Sequence, residues 1–304
     1  MTQAAWGRTM GAALLQYALR VIDVDGLGFA YPGAAAPAVE DLSFQVGDGE
    51  VFGFLGPNGA GKSTTQKVLT GLLRDYRGQA RVLGRDVREW GADLYEEVGV
   101  GFELPVHYGR LTARENLRYF ASLYRGETED LEGLLEQVDL LGDADVRVEH
   151  FSKGMRVRLS FARAVLCRPR LLFLDEPTTG LDPVSARRIK NLILDRRARD
   201  TTVFLTTHDM TTADELCDRV AFLVDGRIAL IDTPRELKVK HGEQRVRVEY
   251  RRNGTLESRE FPMEGLADSP EFLAALREPS LETLHSLETS LEEIFIRVTG
   301  RDLA

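Results

Sequence analysis

The sequence GPNGAGKSTT at residues 56–65 constrains the fold of this chain more than any other feature. It matches the pattern G-x-x-x-x-G-K-[ST] of loops that bind nucleotide phosphates. Such a loop needs a strand before it and a helix after it, because its backbone N–H groups and the helix N-terminus supply positive potential to the phosphates. The apolar run VFGFL precedes the loop, and residues 62–73 can open a helix. The motif therefore predicts an α/β fold.

The residues of this loop have separate expected roles. Gly56, Gly59 and Gly61 would let the backbone approach the phosphates closely. Lys62 would reach the β- and γ-phosphates, and the Ser63 hydroxyl would hold Mg²⁺. The predicted nucleotide-binding residues of the loop are Gly56, Pro57, Asn58, Gly59, Ala60, Gly61, Lys62, Ser63 and Thr64.

Further apolar runs predict more buried strands, at residues 42–46, Leu171–Asp175, Thr202–Thr207 and 220–224. Segments of helix length separate several of these runs, which is typical of an α/β fold with a largely parallel sheet. Residues 112–143 instead repeat their apolar side chains at helical spacing, after a capping box at Thr112 and Glu115. They predict a helical insertion between strands of the core.

The last part of the chain, from about residue 240, predicts a small α+β appendage. Apolar residues alternate from Val246 to Tyr250, and the Asn-Gly pair at residues 253–254 is a strong hairpin signal. A capping box at Ser290 and Glu293 predicts a final helix. The appendage is expected to regulate the protein or to stabilise a dimer, or else to be an inert cover over the edge of the core.

The run LLFLDEP places Asp175 and Glu176 at the end of a buried strand. One carboxylate there can support Mg²⁺ through its coordination shell, and its neighbour can orient and polarise an attacking water. The alternative is an acid that caps a helix, followed by a solvated glutamate. The presence of Lys62 in the same chain favours the first interpretation.

The stretch HFSKGMRVRLSFARAVL, which begins at His150, predicts a helix whose N-terminus follows a serine. Ser152 and the amide of Gly154 would form a second anion site there. Two such sites in one chain suggest that the nucleotide is held between two surfaces. Taken alone, the stretch fits a capped amphipathic helix equally well.

The order of these motifs closely resembles the ATP-binding subunits of ABC transporters over about residues 21–235. It includes Glu103 after VGVGF, GLD at residues 180–182 and TTHD at residues 206–209. The resemblance implies ATP and Mg²⁺ as cofactors, and Glu176, His208 and Lys62 as catalytic residues. It also implies a mixed-sheet core like that of RecA with a helical subdomain at about residues 104–168.

The resemblance implies roles for single residues as well. Tyr31 would stack on the adenine, although a core or turn aromatic beside Pro32 is an alternative. Glu103 would lie in the loop that senses the γ-phosphate and the membrane subunit, and Mg²⁺ would be held by Ser63, Glu103 and Asp175. Asp182 would act across a dimer, and His208 would contact the γ-phosphate unless it only caps a helix. The other expected nucleotide contacts are Ser152, Gly154, Asp175 and Asp182.

The implied domain organisation has three parts. An N-terminal extension occupies residues 1–20 and is expected to be dispensable, with Met10 as a possible start. The ATP-binding cassette occupies residues 21–239. An α+β accessory domain occupies residues 240–304.

Two departures from the commonest family pattern narrow the expected function. Phe-Ser-Lys-Gly-Met replaces Leu-Ser-Gly-Gly-Gln at residues 151–155, and Glu103 replaces glutamine. With the C-terminal SLEEIFIRVTGRDL, both resemble the subgroup that powers export of drugs, antibiotics, polysaccharides or lipids through a separate transmembrane permease. The subunit would lie on the cytoplasmic side of the membrane, as a homodimer or a heterodimer that sandwiches two ATP molecules.

Two other functions compete with export, namely the ATPase of an importer and a soluble ABC ATPase that acts on ribosomes or DNA. The net charge of −9, from 39 basic and 48 acidic residues, disfavours a nucleic-acid partner. No run of residues is long and apolar enough for a transmembrane span or a convincing signal peptide. Cys167 and Cys217 have no neighbouring pair or histidine cluster and are expected inside helices as reduced core residues.

Overall fold

The structure is a computed structural model, and it describes residues 20–103, 106–252 and 254–301. The chain forms two compact units that divide between Ile231 and Asp232. This division lies a few residues before the predicted start of the accessory domain at 240, and the predicted N-terminal extension up to residue 19 lies outside the described residues.

The first unit is built around a six-stranded sheet with the order β10-β9-β3-β8-β7-β6. Its strands are β3 (Val51–Leu55), β6 (Val98–Gly101), β7 (Leu171–Asp175), β8 (Thr202–Thr207), β9 (Arg219–Val224) and β10 (Arg227–Asp232). Strands β9, β3, β8, β7 and β6 pair in parallel, which confirms the predicted parallel core. Leu55 pairs with Thr207 and Asp175 pairs with Thr206, so the carboxyl ends of β3, β8 and β7 lie side by side. Ligands of open α/β sheets bind at this edge.

A second, antiparallel sheet packs on this core in the order β2-β1-β4-β5. Its strands are β1 (Arg20–Phe29), β2 (Val39–Gly47), β4 (Arg77–Val82) and β5 (Arg85–Asp86). Phe44 from β2 stacks at 5.7 Å on Phe52 and lies 6.1 Å from Phe204, measured between ring centroids. Packed aromatic pairs of this kind contribute beyond the apolar area that they bury. They pack the two sheets of the first unit against each other.

The helices of the first unit are α1 (Lys62–Leu69), α2 (Leu94–Glu97), α3 (Ala113–Ala121), α4 (Leu131–Gln137), α5 (Lys153–Val165), α6 (Pro183–Arg197) and α7 (Met210–Leu216). The capping box at Thr112 and Glu115 is present at the start of α3, as predicted. The predicted helical insertion is divided into α3 and α4, followed by a short 3₁₀ turn at Leu141–Asp143. Among the described residues, no helix combines the length and hydropathy that crossing a bilayer demands.

The second unit contains α8 (Pro234–His241), β11 (Arg245–Arg252), β12 (Thr255–Pro262), α9 (Pro270–Leu276), β13 (Leu281–Leu287) and α10 (Leu291–Thr299). Arg252 pairs with Thr255, which confirms the predicted hairpin, although Asn253 itself lies outside the described residues. Its own core consists of Val246, Val248, Tyr250, Phe261, Phe272 and Ala275. The capping box at Ser290 and Glu293 opens α10 as predicted.

Both cysteines are buried free thiols, and burial raises the pKa of Cys167 to about 11. Their predicted place inside helices is wrong by a short distance. Cys167 lies two residues after the end of α5, and Cys217 is the capping residue directly after α7.

Candidate functional site

The phosphate loop joins β3 to α1, and two of its glycines are dictated by the packing of this chain. A Cβ atom at Gly56 would lie 2.2 Å from the Leu223 carbonyl oxygen, and one at Gly61 would lie 2.6 Å from the Ala38 carbonyl oxygen. Gly61 also has a φ of 105°, in the region that favours glycine. Gly59 is different, because a Cβ there meets nothing and only its φ of 81° favours glycine. The sequence predicted close approach to phosphates for all three and missed this packing.

Lys62 is folded into the loop and is only 5% exposed. Its ammonium donates to the carbonyl oxygens of Gly56 at 2.6 Å and Pro57 at 3.1 Å. It lies 3.8 Å from Oε1 of Glu176. Burial lowers the pKa of Lys62, and the nearby carboxylates, with Glu176 first, oppose this shift. A buried cation therefore faces the cavity beside the loop.

Asp175, at the end of β7, sits beside the hydroxyl of Ser63. The Ser63 Oγ donates to Oδ1 of Asp175 at 3.3 Å, and the Thr206 hydroxyl donates to the same oxygen. A hydroxyl and a carboxylate oxygen are the kind of donors that Mg²⁺ takes from proteins while it keeps several waters. The donor set at Ser63 and Asp175 thus fits this ion, although the described residues hold no cluster of three or more ionisable ligands.

Glu176 adopts a φ of 49°, a strained conformation for a residue with a side chain. Its Oε2 accepts hydrogen bonds from the hydroxyls of Thr179 and Thr207, both at 3.0 Å. Its Oε1 lies 2.9 Å from Nδ1 of His208. Neither Glu176 nor Asp175 caps a helix, and Glu176 is only 8% exposed, unlike the solvated glutamate of the alternative interpretation.

A cavity of about 320 Å³ joins most of the residues predicted for the nucleotide. The Tyr31 hydroxyl lies 3.3 Å from Oγ1 of Thr64, and its ring packs edge-on against Phe29 with centroids 5.0 Å apart. Tyr31 remains 40% exposed, so it is not a core aromatic. The cavity is lined by Tyr31, Ala38, Pro57, Asn58, Gly59, Gly61, Lys62, Ser63, Thr64, Glu103 and Glu176.

The predicted residues Ser152, Gly154 and Asp182 do not line this cavity. Ser152 caps α5 by accepting from the Met155 N–H at 3.2 Å, and Gly154 lies in the first turn of that helix. Asp182 caps α6 by accepting from the N–H groups of residues 184 and 185, both at 3.0 Å. Hydrogen bonds, with that of Ser185 first, lower the pKa of Asp182. Within one chain the predicted site therefore falls into two separate parts.

His208 follows β8 and is bonded to Glu176, but it does not cap a helix. That position belongs to Asp209, which accepts from the N–H groups of Thr211 and Thr212 at 3.0 and 3.1 Å. His208 stays 41% exposed and outside the residues that line the cavity.

His107 lies outside every predicted motif, and its structural contact could not be predicted because a single histidine does not indicate its partner. Its Nε2 lies 2.9 Å from the Arg156 carbonyl oxygen, and burial lowers its pKa to about 4. The neighbouring Val106 carbonyl accepts from Nη1 of Arg163 at 2.7 Å. Both hydrogen bonds hold residues 106 and 107 against α5.

Comparison with known proteins gives matches to both units. Residues 39–179 match a family model described as ABC transporter, and residues 244–288 match one described as Fluoroquinolone efflux ABC transporter C-terminal domain. A protein of Mycobacterium tuberculosis, named a fluoroquinolones export ATP-binding protein, is 60% identical over 284 residues, which cover 93% of this chain and 94% of that protein. ABC transporter A family member 7 of Arabidopsis thaliana is 35% identical over 90% of this chain and 33% of its own length.

Two solved structures share the fold of the first unit. One, described as an ATP binding subunit of an ABC transporter, has a TM-score of 0.66 and 30% identity over 72% of this chain and 92% of its own. The other, described as a dimeric post-hydrolysis state of an ATP-binding cassette bound to ADP and Pi, has a TM-score of 0.64 and 23% identity, over 70% of this chain and 98% of its own.

Proposed function

This chain belongs to the ATP-binding subunits of ABC transporters and is an ATPase, and we propose that it powers export of a fluoroquinolone-like drug through a separate transmembrane permease. The predicted family, cassette fold and ATPase activity are thereby confirmed. The relative named for fluoroquinolone export supports the substrate class, since its similarity extends along nearly the whole chain. The match of residues 244–288 to a fluoroquinolone-efflux domain supports it independently of the cassette.

The single observation that carries the chemistry is that Lys62, Ser63 and Glu176 line one cavity at the carboxyl edge of a parallel sheet. We propose that Tyr31 binds the adenine. The loop amides and Lys62 would bind the phosphates. Ser63, Asp175 and Glu103 would hold Mg²⁺, which supplies charge neutralisation on the phosphate oxygens when bound.

Glu176 is the general base of the proposed reaction, because it lines the cavity and its Oε1 lies 3.8 Å from the ammonium of Lys62. It would orient the attacking water and take its proton as the water oxygen bonds to the γ-phosphorus, while the bond from that phosphorus to the β,γ-bridging oxygen breaks and ADP leaves. His208, bonded to the same oxygen, would contact the γ-phosphate from beside it. The charge on Lys62 would stabilise the phosphoryl group during transfer.

A second copy of the cassette, identical or related, is required to complete the site. Ser152 and Gly154 lie at the N-terminus of α5, a helix of 13 residues with no acid in its first turn, and neither residue lines the cavity. This end of α5 favours an anion, which in the proposed dimer is the γ-phosphate bound to the other chain. Asp182 would act in the same contact. The solved cassette with ADP and Pi is itself dimeric, which supports this arrangement.

The permease is proposed to dock in an apolar groove beside the segment that leads to Glu103. Two adjacent cavities of about 630 and 290 Å³ share Tyr95, Phe120 and Tyr124, and the smaller one reaches Phe102. Leu72 and Leu123, at 52% and 59% exposure, lie along them. A loop of the membrane subunit bound in this groove would contact the ATPase next to the nucleotide cavity. The same contact would hold the ATPase at the cytoplasmic face of the membrane.

Transport in inverted membrane vesicles tests this proposal. The chain is co-expressed with the membrane protein that co-purifies with it, and ATP is added outside vesicles together with a fluorescent fluoroquinolone. If the native pair is an exporter, the fluoroquinolone should accumulate inside the vesicles. It should not accumulate when the chain carries Lys62→Ala. Loading by the native pair no faster than by Lys62→Ala would contradict fluoroquinolone export, and ATP-driven emptying of preloaded vesicles would identify an importer.

A further inference from the structure

We propose that Thr207 and Thr179 are positioning residues that hold one oxygen of Glu176, so that its other oxygen is aimed at the attacking water. The inference rests on the proposed role of Glu176 as general base. It concerns two hydroxyls that belong to neither the phosphate loop nor the cavity lining.

The hydrogen bonds divide the two oxygens of Glu176 into different functions. Oε2 accepts from both threonine hydroxyls, which uses the two lone pairs of that oxygen. An ionised carboxylate only accepts, so His208 donates from Nδ1 to Oε1 and leaves one lone pair there. Oε1 is therefore the oxygen that can receive a proton from water.

Thr207 can give its hydrogen in only one direction. Its Oγ1 accepts from the Asp209 N–H at 3.0 Å, and its single hydrogen goes to Glu176. The residue is 1% exposed at the end of β8 and has little rotational freedom. The neighbouring Thr206 bonds Asp175 instead, because successive side chains of a strand point to opposite faces. The strand β8 thus supports the two carboxylates with two different hydroxyls.

Thr179 supplies the second bond from a turn rather than from the sheet. The turn begins at Glu176, whose carbonyl accepts from the Thr179 N–H at 3.2 Å, while the Glu176 N–H donates to the Thr206 carbonyl at 2.9 Å. These two backbone hydrogen bonds hold Glu176 in its left-handed conformation. A residue in such a conformation persists only where its surroundings determine it. The two hydroxyls restrain its side chain in the same way.

The test compares Thr207→Val with Thr207→Ser in steady-state hydrolysis of Mg-ATP. Loss of the hydroxyl should lower kcat by roughly 10- to 100-fold, the order expected when a base is misplaced but not removed. Serine keeps the hydroxyl and should restore most of kcat. The affinity for ATP should change by less than about twofold, because Thr207 does not line the cavity. Thr207→Ala, compared with Thr207→Ser, gives the same contrast if valine prevents folding.

Thr202→Val is the matched control, since Thr202 is a fully buried threonine at the other end of β8. Its hydroxyl accepts from the Gly49 N–H at 2.9 Å and lies 3.4 Å from Oδ1 of Asp48. The substitution should lower the melting temperature and leave kcat near the native value. A purely structural role for Thr207 would give the same result as this control.

Glu176→Gln separates this inference from the proposed function. In that background Thr207→Val should change the residual rate by less than about twofold, because both changes act through one carboxylate. If Glu176→Gln abolishes turnover but Thr207→Val does not lower kcat, or if Thr207→Ser is as slow as Thr207→Val, the positioning role is wrong. If Glu176→Gln keeps native turnover, the proposed base is wrong, and the positioning role with it.

Discussion

The phosphate loop and the turn at Ser152 are both anion-binding segments at a helix N-terminus, but they differ in what completes them. All partners of the loop's lysine come from the same chain, since Lys62 is buried against two carbonyl oxygens and a carboxylate. At the other segment Ser152 and Lys153 are exposed, and the Ser152 hydroxyl caps its own helix by accepting from the Met155 N–H. The half of the proposed site at the phosphate loop is thus preformed within one chain. The half at Ser152 needs the surface of a second chain to complete it.

The glycines of the two segments also differ, in whether their own chain leaves room for a side chain. Gly56 and Gly61 have no room for a side chain, because a Cβ would collide with backbone carbonyl oxygens of the same chain. At Gly154 a Cβ would make only ordinary contacts, 3.6 Å from Leu181 and 3.9 Å from Ser152, and its φ is not left-handed. The fold of one chain therefore gives no reason for glycine at this position, whereas close approach of a γ-phosphate from another chain would give one.

Lys62→Ala has the largest expected effect, because it removes the cation of the preformed half. ATP affinity should fall by roughly 10²-fold or more and turnover should be lost, since a charge-assisted bond in a buried site contributes strongly to binding. Isothermal titration with Mg-ATP measures the change, with Lys67→Ala on the exposed side of the same helix as control. Native affinity in Lys62→Ala would show that the loop is not the phosphate site.

Gly154→Asp tests the other half and should separate turnover from binding. The carboxylate would repel the γ-phosphate and lower kcat by roughly 10²-fold, yet the binding of ATP by the single chain should stay native. An acid in the first turn should not destabilise α5. Gly154→Ala adds only a methyl group, so it should raise the stability by about 0.5–1 kcal/mol and lower kcat less than Gly154→Asp does. A loss of ATP affinity equal to that of Lys62→Ala would contradict the division into two halves.

The sequence predicted well the strands, loop and helix of the preformed half, because each of these elements is local in sequence. The phosphate loop has a fixed spacing, and the strands before Gly56 and Glu176 are apolar runs with the bounds that the structure shows. The predicted helical insertion was less accurate, since residues between α3 and α4 keep apolar side chains without continuing the helix.

The supports of Glu176 could not be predicted in the same way. Thr207 meets Glu176 only because β7 and β8 are neighbours in a parallel register, and hydrophobic periodicity does not give strand order. Thr179 contacts Glu176 through a turn in which Glu176 adopts a left-handed conformation, and the sequence does not predict that conformation. The assignment of Ser152, Gly154 and Asp182 to a nucleotide stays a prediction, because its geometry requires a second chain.

The most direct test of the central claim, that two chains each supply half of one site, is the oligomeric state of Glu176→Gln with and without Mg-ATP. The substitution keeps the size of the side chain but removes the charge and most of its basicity, so ATP should bind and not be hydrolysed. Size-exclusion chromatography with light scattering should show a monomer without nucleotide and a dimer with Mg-ATP. Adding Gly154→Asp should abolish that dimer while ATP still binds. A Glu176→Gln protein that turns over ATP at the native rate, or that binds ATP and stays monomeric, would contradict the account.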